Sequence, residues 1–159
     1  MIHYIFDLDD TIIIHKNKPI HYKTITENIK LTELLSNLNG PSYIYTNGTG
    51  SHALVVLDKM NITYIFDKIY SRDTISAMKP LTNSFNIVHN DIVKRYQSDE
   101  NIYYFFDDLL ENLKTASIYG WKTFWINPYH KKYPNYSFVT MSFSDITECL
   151  TYLETNQIK

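Results

Sequence analysis

The sequence predicts an α/β domain built on a central, mostly parallel sheet of five strands, for three reasons. Short apolar, β-branched and aromatic runs alternate with longer segments of helical period, the pattern of strands joined by helical crossovers. One run, Ile102 to Phe106, is apolar and aromatic throughout, as in a strand covered on both faces. The 159 residues, 44% hydrophobic and 20% charged, are one domain's worth of chain, enough for a core without a disulfide or structural metal.

Each element follows in order. Ile2 to Phe6 is the first strand and ends at the acidic cluster Asp7-Leu8-Asp9-Asp10. Thr24 to Leu38 places Ile25, Ile29, Leu34, Leu35 and Leu38 at roughly helical spacing and closes at Asn39-Gly40-Pro41, so a helix is expected. Ser42 to Tyr45 is the second strand, Thr46-Asn47-Gly48-Thr49-Gly50 a turn, and Ser51 to Met60 a helix with Ala53, Val56, Leu57 and Met60 on one side. Thr63 to Phe66 is expected as the third strand. Leu81 to Tyr96 is expected to be helical, opening just after Pro80, where a proline is tolerated. Beyond the fourth strand, Ile102 to Phe106, a helix from Leu109 to Tyr119 ends at Gly120, a C-cap residue. Lys122 to Ile126 is the fifth strand and Ser144 to Leu153 the closing helix. With no internal repeat and no low-complexity linker, residues 1–159 are expected to form one domain.

Charge and cysteine content narrow the function. The 15 Lys and Arg against 17 Asp and Glu give a net charge of −2, which excludes a broadly cationic nucleic-acid coat but allows a local basic patch. The lone cysteine, Cys149, permits no intramolecular disulfide, fits a reducing compartment and is expected to be a packing residue. No apolar run approaches the roughly 20 residues of a membrane span. Met1 to Asp7 lacks the basic-then-apolar pattern of a signal peptide. A soluble cytoplasmic protein is expected. Heavy use of Tyr, Lys, Ile and Asn with only 4 Gly follows AT-rich codons, as in a large DNA virus or an AT-rich microbe; for a viral protein the cytoplasm would be the host's.

In an open α/β sheet, ligands gather outside the carboxyl ends of the strands. There the first strand delivers Asp7-Leu8-Asp9-Asp10-Thr11, the second Thr46-Asn47-Gly48-Thr49 and the fourth Asp107-Asp108, while Lys79-Pro80 opens the helix leading into the fourth. Acidic residues from two strands would converge without an evident structural partner, which is costly unless a cation neutralises them. Hard oxygen donors suit magnesium. A hydroxyl and a turn of backbone N–H groups at a helix N-terminus, with one lysine, suit a phosphate. These are the parts of a phosphoryl-transfer site.

The order Asp7-x-Asp9-x-Thr11, Thr46-Asn47, Lys79-Pro80 and Asp107-Asp108 resembles the four motifs of the haloacid dehalogenase (HAD) superfamily of phosphatases, over roughly Ile2 to Ile126. Within it, Thr46 to Ala53, Val56-Leu57, Ile65-Phe66-Asp67 and Phe106 to Asn112 are similar to the pyrimidine 5′-nucleotidase-like branch. The resemblance implies a Rossmann-like three-layer sandwich, the HAD-like core, and a magnesium-dependent phosphomonoester hydrolase. It implies Asp7 as the nucleophile that becomes an aspartyl-phosphate, and Asp9 as acid toward the leaving oxygen and base toward water. Asp7, the backbone carbonyl of Asp9 and Asp107 would hold Mg2+. Thr46, the Asn47 N–H and Lys79 would bind the phosphate, with Lys79 also offsetting the charge on Asp7. Asp108 would support the metal's water shell or Lys79, and Asn112 would steady that loop through a backbone hydrogen bond.

HAD enzymes of small metabolites usually carry a cap domain between the first and second or the second and third motifs. Here Thr11 to Thr46 has room for one flap, about residues 11–22, and one helix; Thr46 to Lys79 has room for a helix, a strand and a connection. A minimal or absent cap is therefore expected, unlike the nucleotidase branch. An open site fits a phosphoprotein or a nucleic-acid end, or a homo-oligomer whose neighbour closes the site, whereas a nucleotide is the substrate the finer resemblance implies. A phosphotransferase and a HAD-fold binding module without turnover are the alternatives.

Other residues are expected to be structural. Asp10 would fix its loop, His52 would pack at a helix start, and His15 and His21 would flank the flap. Asn127 to Tyr136 interleaves aromatic and basic residues in a manner that suits a base or single-stranded nucleic acid. In so tyrosine-rich a chain it is expected to be an ordinary surface loop.

Overall fold

A computed structural model describes residues 1–15 and 20–156. Its strands are β1 (Ile2–Phe6), β2 (Ser42–Tyr45), β3 (Lys68–Tyr70), β4 (Ile102–Asp107), β5 (Lys122–Ile126) and β6 (Met141–Phe143). All pairings are parallel, in the order β3-β2-β1-β4-β5-β6.

Side chains alternate along each strand, and the alternation divides the core into two layers. Tyr4 and Phe6 of β1, Ile44 of β2, Phe106 of β4 and Phe124 of β5 share one layer with α1 (Ile29–Ser36), α2 (Gly50–Lys59) and α5 (Ile146–Thr155). Those helices contribute Leu31, Leu34 and Leu35, then Ala53, Val56 and Leu57, then Ile146, Cys149 and Leu150. Ile5, Tyr43, Tyr45, Phe105 and Trp125 face the other way, toward Phe85, Val88 and Ile92 of α3 (Thr82–Arg95) and Leu113 and Ala116 of α4 (Leu110–Ile118). The result is the expected three-layer, Rossmann-like sandwich, with Cys149 buried in packing as expected.

Local chemistry sets the helix ends. The Asn28 side chain accepts from Leu31 N–H at 3.1 Å and starts α1; the Asp145 side chain accepts from Glu148 N–H at 2.8 Å and starts α5. Gly120, at φ 74°, follows α4 in the left-handed conformation that favours glycine. Gly40 answers a different need: a Cβ there would stand 2.1 Å from the carbonyl oxygen of Ile2.

Three expectations change. Thr63–Ile65 is a 3-10 turn rather than a strand, because Ile65 N–H bonds to Ile62 O and Phe66 N–H to Thr63 O within the segment. The third strand begins beyond Asp67, which bonds to Ser42 through both its backbone N–H and its carboxylate and so starts the pairing with β2. The sheet has six strands, not five: Met141–Phe143 pairs with the outer edge of β5. The first helix opens at Ile29 rather than Thr24, since Tyr22–Thr24 forms its own 3-10 turn and Asn28 supplies the cap. Residues 16–19 of the expected flap lie outside the described residues. Among the described residues, α1, α2, two 3-10 turns and the strands β2 and β3 occupy the intervals from Thr11 to Thr46 and from Thr46 to Lys79, and no cap is present. No helix of the described residues is long and apolar enough to cross a membrane.

The strand order reverses direction at β1 and β4: the chain winds from β1 outward to β2 and β3, then returns to β4 on the other side of β1. Such a switch point opens a crevice at the carboxyl ends of the two central strands. Asp7 and Asp107 stand there, side by side.

Candidate active site

Strand pairing continues past β1, since Asp7 N–H donates to Phe106 O at 2.9 Å, and this holds the Asp7 and Asp107 backbones together. Their carboxylates meet a single cation. Lys79 Nζ donates to Asp7 Oδ1 at 3.0 Å, Asp107 Oδ2 at 2.9 Å and the Tyr45 carbonyl at 2.8 Å. It also sits 4.9 Å from the Tyr45 ring centre and 5.5 Å from that of Phe105, so the aromatic layer forms its floor. The Lys79 side chain is 1% exposed and that of Asp107 0%, so these are buried charges.

Burial sets the proton affinities. It works against the charge of Lys79, but the carboxylates of Asp107 and Asp7 outweigh it and hold the ammonium above the ordinary lysine value. Burial, reinforced by the Asp107 charge, pushes Asp7 up to about 6 despite Lys79. Asp108, beside both, is pushed up to about 9, first by burial and then by the charges of Asp107 and Asp7.

Asp7, Asp107 and Asp108 each offer a carboxylate oxygen, all within 4.8 Å of one another. Burial and mutual repulsion oppose the ionisation of the clustered carboxylates, as the raised Asp7 and Asp108 show, and the donors are all hard oxygens. The set fits a small divalent cation such as magnesium. Asp108 thus stands inside the carboxylate group rather than merely behind it.

The neighbouring loops are fixed by their own side chains. Asn47 grips Lys79 through both ends of its amide: Oδ1 accepts from Lys79 N–H at 2.9 Å and Nδ2 donates to Lys79 O at 2.9 Å. Thr46, buried, accepts from Gly48 N–H at 3.0 Å, folding the turn around its hydroxyl. Asn112 Nδ2 donates to Asp107 Oδ2 at 3.0 Å, so it steadies the carboxylate through its side chain rather than through the expected backbone bond. Leu109 N–H donates to Asp107 Oδ1 at 2.9 Å, and Trp125 Nε1 donates to Asp108 O at 2.9 Å. Thr11 Oγ1 approaches Asp7 Oδ2 at 3.5 Å.

Among the described residues, Asp9 finds its side-chain partners outside this group. Its Oδ1 lies 2.5 Å from His15 Nε2 and 2.8 Å from His52 Nε2, and His52 Nδ1 shares a 2.7 Å hydrogen bond with the Tyr22 hydroxyl. His52, expected to pack at a helix start, and His15, expected to be structural beside the flap, both meet this carboxylate; no sequence spacing marks two imidazoles 37 positions apart as partners of one carboxylate. Asp10 does fix its loop: at φ 60° it accepts from His15 N–H at 3.4 Å. Among the described residues, His21 bonds through its backbone carbonyl, to Thr24. In the 127–136 stretch, Tyr133 and Tyr136 cover Trp125 edge-on at 5.5 and 6.1 Å, which is packing.

This architecture is shared with known structures. The magnesium-bound HAD-hydrolase YfnB from Bacillus subtilis superposes with a TM-score of 0.66 at 24% identity, over 79% of this chain and 55% of that one. D,D-heptose 1,7-bisphosphate phosphatase from B. bronchiseptica, solved with magnesium and phosphate, gives 0.65 at 16% identity, over 98% of this chain and 99% of that one. L-2-haloacid dehalogenase from Xanthobacter autotrophicus gives 0.65 at 13% identity, over 85% and 63%. The chain therefore spans about 55–63% of the length of YfnB and the dehalogenase, and nearly all of the heptose phosphatase. Neither a protein-family model nor a curated protein matches the chain. The fold is the HAD-like α/β fold.

Proposed function

We propose that the protein is a magnesium-dependent phosphomonoester hydrolase that works through an aspartyl-phosphate. The observation that carries this reading is the meeting of Asp7 and Asp107 on Lys79 at 2.9–3.0 Å, at the switch point of the sheet and beside the Thr46–Gly48 turn. A structural ion pair needs one carboxylate, and Lys79 meets two.

Asp7, Asp107 and the Asp9 backbone carbonyl would hold Mg2+, with Asp108 beside them; when bound, the ion would draw charge from the phosphoryl oxygens and screen it from the carboxylates. Asp7 attacks phosphorus through a carboxylate oxygen while the bond to the ester oxygen breaks, and Asp9 gives that oxygen its proton. Asp9 then takes a proton from water, whose oxygen attacks phosphorus and frees Asp7 and inorganic phosphate. Thr46 Oγ1 and the Asn47 N–H bind phosphoryl oxygens, and Lys79 counters their charge. Asn47 keeps Lys79 in place through its backbone. The substrate is a phosphate on a macromolecule, which suits a crevice without a cap among the described residues, or a nucleotide, as the finer motif resemblance implies.

Phosphate release from nucleoside monophosphates, phosphopeptides and 5′-phosphorylated oligonucleotides, with and without magnesium, tests this. Asp7→Asn should abolish release with every substrate while leaving the melting temperature near that of the wild type. Equal release by wild type and Asp7→Asn, or none by the wild type, would refute the reading.

A further inference from the structure

The contacts around Asp9 assign its two oxygens different tasks. Both imidazoles meet the same atom, Oδ1, while Oδ2 takes part in no hydrogen bond among the described residues. Oδ2 faces the Thr46–Gly48 turn, 3.8 Å from where a Cβ on Gly48 would stand. The anchors are buried and the acid is not: the side chains of His15 and His52 are 6% and 13% exposed, that of Asp9 32%. Packed donors on a reachable carboxylate are the arrangement that fixes its rotamer without blocking it.

We infer that His15 and His52 are positioning residues for Asp9: they fasten Oδ1 from two sides and leave Oδ2 as the oxygen that exchanges a proton with the substrate. The inference rests on the phosphatase reading. His15 follows the β1 loop and His52 lies in the first turn of α2, so the clamp joins separate segments. Tyr22 holds the far edge of the His52 ring, with the two rings tilted and their centres 5.7 Å apart. Two of the three outer groups, His15 and Tyr22, thus come from the edges of the flap region. In a site without a cap, they and α2 set the direction of the acid.

The same three donors form a set able to hold a metal ion. The distances favour hydrogen bonds. Ligands of a tetrahedral zinc ion stand about 3.3 Å apart, given bonds near 2.0 Å, whereas these nitrogens stand 2.5 and 2.8 Å from the carboxylate oxygen.

The test exploits what a proton donor is for. A good leaving group, such as 2,4-dinitrophenolate, departs without a proton; an alkoxide does not. The measurement is kcat/KM, which covers the steps through formation of the aspartyl-phosphate, for aryl and alkyl phosphates with the wild type, His15→Ala, His52→Ala and His52→Gln. General acid–base catalysis is worth about 10²–10⁴-fold, so each alanine variant should lose at least about 10-fold on the alkyl ester and less than about 3-fold on the dinitrophenyl ester. His52→Gln, which keeps a donor, should recover part of the loss.

Equal losses across the series, or an unchanged leaving-group slope, would overturn the positioning role and leave the phosphatase reading standing. A wild type that cleaves none of the esters overturns both. The two histidines sit in different segments, so a folding failure in one variant, seen as a lost melting transition, leaves the other to decide.

Discussion

Asp7 and Asp108 carry the clearest pH signature of any residues in the molecule. Burial raises them to about 6 and about 9 from an ordinary carboxylate value of 3.8. The folded metal-free protein therefore holds protons that the unfolded chain releases. The stability this contributes is full below the unfolded value and is lost as pH rises through about 6 and then about 9. Magnesium binds ionised carboxylates, so its stabilising effect should grow over the same window. Melting curves at mildly acid and mildly alkaline pH, with and without magnesium, check this: the metal-free protein should melt lower at the higher pH, and the magnesium increment should be larger there. An increment independent of pH would count against the ion sitting on these carboxylates.

At this scale the site was partly legible in the sequence. Asp7, Thr46 and Asp107 each follow an apolar strand run, so the α/β pattern alone places them at one edge of the sheet, and Lys79 opens the helix that leads into the fourth strand. The partners of Asp9 were not legible, because His15 and His52 become neighbours only when the loop after β1 folds back toward α2. Nor was the two-handed grip of Asn47 on Lys79, which depends on tertiary placement of an amide 32 positions away.

Among the elements, termini matter more than interiors. Asn28→Ala removes the side chain that accepts from Leu31 N–H and should cost about 0.5–2 kcal/mol. Gly120→Ala should cost about 1–2 kcal/mol from backbone conformation alone, since φ is 74° and nothing lies within 4 Å of the added Cβ. Gly40→Ala should cost more than either, because its Cβ would collide with the Ile2 carbonyl. Denaturant unfolding would rank the three, and a Gly40→Ala protein as stable as the wild type would contradict the close approach.

Long apolar elements were legible and short ones were not. β1, β2 and β5 have the bounds expected from their runs. Thr63–Ile65 has strand-like composition but only three residues, and its local hydrogen bonds decide for a turn. β6 escaped notice for the opposite reason: Met141-Ser142-Phe143 is brief, only Phe143 is buried, and its strand identity comes from pairing with β5.

Across the whole molecule, one topological fact organises the chemistry: the winding reverses between β1 and β4, so the crevice and the carboxylates coincide. The helices above and below are ordinary packing for a doubly wound sheet. What differs from larger structures of similar fold is length, since this chain spans 55% of YfnB and 63% of the Xanthobacter dehalogenase. A groove of about 720 Å³ runs between the flap region, α1 and the start of α5, and it includes His15, one of the two clamps on Asp9.

Besides the floor under Lys79, the aromatic layer reaches the acidic crevice through the bond from Trp125 Nε1 to the Asp108 carbonyl. That indole is almost wholly shielded from water, at 3% exposure, so its emission depends on the polar groups beside it rather than on bulk solvent. The protein thereby carries an optical gauge: adding magnesium should change tryptophan fluorescence in the wild type and in Trp121→Phe, but not in Trp125→Phe. Occupancy becomes visible in a cuvette, with no substrate, label or turnover required.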